Sequence, residues 1–140
     1  MTIYVNIRQL GKKRSIISAV PFELPMPPAT VRELIAAVVQ VCVAAYNERV
    51  RRGEAGVRPM TEEGLADMES IGKLAFGVNY SEKQADEAAA IANALQGFED
   101  GLYRIFRGQE ELLAPDDVLA LSEGDELTFI RLTMLTGSIF

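Results

Sequence analysis

Hydrophobic and polar positions alternate from the start: Ile3, Val5 and Ile7 against Tyr4, Asn6 and Arg8. That period of two predicts a half-buried strand. Gln9 to Arg14, with Gly11 inside it, reads as a turn, and Ser15 to Val20 as the returning strand of a hairpin. Pro21, Pro25, Pro27 and Pro28 predict an end to regular structure. The apolar period then changes to that of a helix. Val31, Leu34, Ile35, Val38 and Cys42 fall on one stripe, opened by Thr30-Val-Arg-Glu33, the spacing of a capping box. The helix is expected to run past Tyr46 to about Arg52, with Gly53 as its stop. Arg49, Arg51 and Arg52 then lie in the last turn, where cations complement the helix dipole.

Gly53 to Pro59 reads as a loop, and Thr61 to Phe76 as a second helix with Leu65, Met68, Ile71 or Gly72, and Ala75 at helical spacing, though its two glycines weaken the pattern. Ser81-Glu-Lys-Gln84 repeats the capping-box spacing before an alanine-rich helix through Leu95, with Gly97 beyond its end. Its Ala85, Ala88, Ala92 and Leu95 predict a smooth stripe suited to packing on another helix. Leu102 to Phe106 is strand-like and turns at Arg107-Gly108 into the short Gln109 to Leu113. Pro115 to Leu121 reads as a loop with a helical turn, and Asp125 to Leu135 as the last strand. That strand is apolar on both sides, with Leu127 and Phe129 on one and Ile130, Leu132 and Met134 on the other. It is therefore expected to be central, with both faces covered by this chain or a partner.

The length of 140 residues fits one domain with a real core. The longest nearly uncharged run, Leu34 to Tyr46, is too short to span a bilayer, and Met1 leads directly into strand pattern, so secretion is not expected. A cytoplasmic location and no membrane partner are expected. Cys42 is the only cysteine and histidine is absent. An intrachain disulfide, cysteine metal clusters, and Ser-His, Cys-His or histidine-base catalysis are thereby excluded. The net charge of -6 divides into +5 over residues 1–60 and -11 over 61–140, an asymmetry that can mark a binding face. Arg8, Lys12, Lys13 and Arg14 form a candidate basic patch at the hairpin tip. It lacks interleaved aromatics, and lysine is common on exposed edges, so nucleic acid is not the expected partner.

Hairpin, helix, strand, short strand and final strand is the element order of the β-grasp. Four segments resemble ubiquitin-like proteins in order and spacing: Ile3-Tyr-Val, Ala29-Thr-Val-Arg-Glu-Leu-Ile35, Tyr103-Arg-Ile-Phe-Arg-Gly-Gln-Glu-Glu-Leu112, and Gly124-Asp-Glu-Leu-Thr-Phe-Ile-Arg-Leu-Thr-Met134. The resemblance covers about residues 1–40 and 102–136. It implies an α+β fold: one ubiquitin-like β-grasp domain over residues 1–140, with a mixed four- to five-stranded sheet on one long helix and a helical insertion at about 53–100. It also implies that Ile105 occupies the partner-recruiting position of the exposed sheet face, which puts Arg104 at an inward one. The expected role is a non-enzymatic interaction module or adaptor without a cofactor, binding a protein partner or associating with itself. Ile105, Ile130, Leu132 and Met134 are its candidate contact residues, unless the inserted helices cover that face themselves. The alternative is a carrier or modifier processed by removal of Ser138-Ile139-Phe140 and activated at Gly137. The chain lacks the terminal Gly-Gly of ubiquitin and the small sulfur carriers.

Overall fold

The computed structural model describes residues 1–9, 17–54, 71–76 and 86–132. Five strands form one mixed sheet: β1 (Thr2–Gln9), β2 (Ile17–Glu23), β3 (Tyr103–Arg107), β4 (Glu110–Leu112) and β5 (Glu126–Arg131). Their spatial order is β2-β1-β5-β3-β4. The last strand lies in the middle, parallel to β1 and antiparallel to β3. Helix α1 (Val31–Glu54) follows the hairpin, a helical segment α2 covers residues 71–76, and α3 (Glu87–Glu99) precedes β3. This is an α+β fold with an open five-stranded sheet, compatible with a β-grasp.

Period-two alternation sorts the strands into two faces. Ile3, Val5, Ile7, Leu127, Phe129, Tyr103 and Ile105 are buried toward the helices. Val31, Leu34, Ile35, Val38 and Cys42 meet them from α1, each at most 1% exposed. Burying one such aliphatic side chain contributes about 1.5–3 kcal/mol, so this stripe, rather than local helix propensity, holds α1 in place.

The start of α1 follows the expected capping-box spacing, with the return bond reaching one residue before the N-cap. Glu33 N–H donates to Thr30 Oγ1 at 3.2 Å, and Glu33 Oε1 accepts from Ala29 N–H at 2.9 Å. The next helical donors turn to the loop before β5: Val31 N–H to Asp117 O at 3.2 Å and Arg32 N–H to Pro115 O at 2.7 Å. A single bridge between Thr30 and Val118 completes the junction. That loop contains turns but no helical turn.

Three expectations are corrected. Pro21 does not interrupt the sheet but lies within β2, paired with Tyr4. An edge strand tolerates a missing donor on its outer side, and β2 is an edge. Helix α3 begins at the N-cap Asp86 and continues through Gly97 to Glu99. Its packed face is accordingly Ala90, Ala94, Gly97 and Phe98, while Ala88 and Ala92 are exposed. The capping-box spacing at Ser81–Gln84 lies outside the described residues.

Candidate interaction surface

Ile105 was the candidate carried from the resemblance, and it is 0% exposed, inside the core. It pairs with Leu112 and Phe129 on the helix side of the sheet. Arg104, expected inward, faces the other way, with 55% of its side chain exposed and Nε 3.5 Å from Glu111 Oε2. One residue of register separates the resemblance from the fold. The physical reason is cost: an inward Arg104 would bury a charge that an inward Ile105 does not.

The face opposite the helices is therefore built from the even-numbered residues of β1 and β5, and of β3. One row across it reads Asn6, Thr128, Phe106 and Glu111; the next reads Arg8, Ile130 and Arg104. Tyr4, paired with Glu126, is 37% exposed. Phe106, Ile130 and Leu132 are half-buried. Thus Ile130 and Leu132 occupy the predicted face. Arg8 is half-buried beside Ile130, whereas Lys12, Lys13, Arg14, Met134 and Gly137 lie outside the described residues. Tyr4, Arg104 and Phe106 are additions that Ile105 in the core makes necessary. Their signal was present in the alternation of Tyr103 and Ile105 with Arg104 and Phe106.

Asn6 fixes the middle of this face. It is 8% exposed, its Oδ1 accepts from Ala19 N–H at 2.6 Å, and its Nδ2 donates to Thr128 Oγ1 at 3.3 Å. The hairpin register shifts here, since Val5 pairs with Val20 but Ile7 with Ile17. Two β2 residues, Ser18 and Ala19, thus oppose Asn6, which makes a bulge. Ala19 adopts φ +52°, and the amide of Asn6 supplies the acceptor that its displaced N–H needs.

The inserted helices do not meet this face among the described residues; they enlarge the layer formed by α1. Phe76 of α2 stands edge-on to Tyr103 and Phe129 of the helix face, with ring centroids 5.4 and 5.3 Å away. Tyr103 donates its hydroxyl to Ala94 O of α3 at 2.7 Å. Arg131, on the helix side at the end of β5, donates from its guanidinium to Leu74 O. Partial burial lowers the pKa of that guanidinium. Burial pushes the Tyr103 phenol and the Cys42 thiol well above their ordinary values. The thiol also receives a backbone hydrogen bond from Gly72.

Among the described residues, no group of three or more His, Cys, Asp or Glu is placed to hold a metal, and no helix is long and apolar enough to cross a membrane. A shallow depression of about 240 Å³ lies between the Pro25–Pro28 segment and Ala37 and Gln40 of α1. Comparison with family models, with curated proteins and with solved structures finds no match.

Proposed function

We propose that the chain is a ubiquitin-like β-grasp domain, enlarged by a helical insertion at about residues 53–100, that acts as a non-enzymatic interaction module. Its docking surface is the sheet face opposite the helices. The supporting observation is the cross-strand patch in which half-buried Phe106 and Ile130 are framed by Tyr4, Arg8 and Arg104. A β5 strand apolar on both sides matches that use, because one face is consumed by α1, α2 and α3 and the other carries apolar area toward a partner. The strand order, the parallel β1/β5 pair and the helix after the first hairpin support the β-grasp assignment.

The test uses the chain isolated from its native cells. An interaction module co-purifies in a stoichiometric complex, which Ile130→Asp should disperse while the cooperative thermal transition is retained. Trypsin cleaving after Arg131 should release residues 132–140 as one unmodified peptide. A peptide ending at Gly137, or joined through it to sulfur or to a lysine, would overturn this reading in favour of a processed carrier.

A further inference from the structure

We infer that β2 is locked against strand addition, by Pro21 and by the bond between Asn6 and Ala19, so that a partner engages the chain across its open face and not along this edge. The lock is read from main-chain geometry and stands whether or not the interaction reading above holds. Where that reading holds, an extended peptide paired to β2 is excluded as the partner.

β2 is an edge strand, and an edge presents main-chain donors and acceptors with which another chain can pair. Which residues present them follows from β1. Tyr4 N–H donates to Asp125 O at 2.9 Å, so the main chain of Tyr4 is turned toward β5. Successive residues of a strand direct these groups to alternate sides, which turns Ile3 and Val5 toward β2. Their partners Phe22 and Val20 are accordingly bonded to β1, and Leu24 N–H, in the same phase, donates to Met1 O at 2.8 Å. The alternate residues Pro21 and Glu23 therefore turn their main chain outward, and both are exposed. The next outward position is the one opposite Asn6, which the bulge fills with Ser18 and Ala19.

Two of these positions offer no donor to an incoming strand. Pro21 has no N–H. Ala19 has one, but at φ +52° it is turned to Asn6 Oδ1, at 2.6 Å. Glu23, the last residue of β2, keeps its outward N–H, but a ladder needs donors repeated every second residue. Packing does not account for the proline, because its side chain lies on the exposed face beside Tyr4. The opposite edge, β4, is protected differently: it runs for 3 residues, with Pro115 shortly beyond its end.

Restoring the missing donor tests the lock. Pro21→Thr returns the N–H without adding apolar area, and Pro21→Val returns it with a residue that favours strands. Both are made in the full chain carrying Ile130→Asp, which removes association through the open face. Thermal melts establish that each variant folds. Sedimentation equilibrium is expected to show both self-associating with a dissociation constant at least about tenfold below that of the Pro21 parent, since each copy gains a main-chain bond. Hydrogen exchange at high protein concentration should find the amides at positions 21 and 23 protected, and exposed again on dilution. Adding Asn6→Ala to Pro21→Thr frees the second donor and should tighten association again; an unchanged constant would remove Asn6 from the lock. Variants that associate no more than the parent up to about millimolar concentration overturn the inference. So does association that leaves positions 21 and 23 exchanging at the parent's rate. Neither result touches the native complex, which Ile130→Asp tests by itself.

Discussion

Asn6 and Ala19 show how one polar side chain maintains an irregular backbone. A non-glycine residue at φ +52° costs about 1 kcal/mol relative to glycine, because its Cβ crowds the following carbonyl. Ala19→Gly is therefore expected to stabilise the chain by about 0.5–1 kcal/mol, which a denaturant melt would register as a higher midpoint at unchanged slope. Asn6→Ala should act in the opposite sense. It leaves the Ala19 N–H without its acceptor, at a cost of about 1–3 kcal/mol. Cys42 and Tyr103 carry a second prediction, since burial raises both pKa values above those of the unfolded chain. For a raised pKa the neutral form belongs to the folded state, so stability is fully present below the unfolded value and is lost as pH rises above it. The midpoint should be flat to about pH 8, then fall as the unfolded thiol, near 8.5, and the unfolded phenol, near 10, ionise. Cys42→Ala should postpone the onset toward pH 10, and an onset unmoved by that change would contradict the assignment. In the native chain the thiol should react with a disulfide reagent only as fast as the chain opens.

At the scale of elements, the end of α3 illustrates how a stop is chosen. Gly97 has the composition of a helix terminator, but the chain ends the helix one turn later, where Leu102 N–H donates to Gly97 O at 2.9 Å and Gly101 N–H to Phe98 O at 3.1 Å. These two bonds form a Schellman motif, and Gly101, at φ +75°, occupies its left-handed position. Gly97 serves packing instead. A Cβ there would stand 3.5 Å from the Tyr103 ring, an ordinary contact. Gly101→Ala is expected to cost about 1 kcal/mol through backbone strain alone, and Gly97→Ala to be neutral or stabilising through helix propensity. Thermal melts of the pair separate the roles; equal losses at both positions would show that the stop had been misplaced. The beginning of α3 relies on Asp86, whose Oδ1 accepts from Ala89 N–H at 3.2 Å, an interaction worth about 1 kcal/mol.

For the whole molecule, β5 joins everything: α1 and α2 meet one side of it, the candidate interface occupies the other, and β1 and β3 flank it. Phe76 ties α2 to this centre through Tyr103 and Phe129. Phe76→Ala should cost about 3–5 kcal/mol by loss of transferred area and cavity formation. Hydrogen exchange should rise first in α2 and α3, while the β1/β5 pair remains protected. Uniform loss of protection would mean that the helices and sheet unfold as one unit. Ile130→Asp, on the other side of the same strand, should leave α2 and α3 protected, because its side chain does not enter the aromatic cluster.

The division of information between sequence and fold follows from the range of the forces involved. Period-two alternation in Thr2–Gln9, the apolar stripe from Val31 to Cys42, the capping box at Thr30, and the two-sided apolar pattern of β5 are local signals, and they determined the elements and the central place of the last strand. The strand tolerance of Pro21 and the inward direction of Ile105 depended on neighbours distant in sequence, whereas α3 passes Gly97 because its stop is set locally at Gly101. Pro21 needed an edge, and Ile105 needed Leu112 and Phe129 on its side of the sheet. Resemblance alone set Ile105 on the outer face, because similar strings conserve residue type more readily than parity. Burial decided the parity: a strand side chain has only two directions, and when one of them leads to a dry core, isoleucine takes it and arginine is left to the surface.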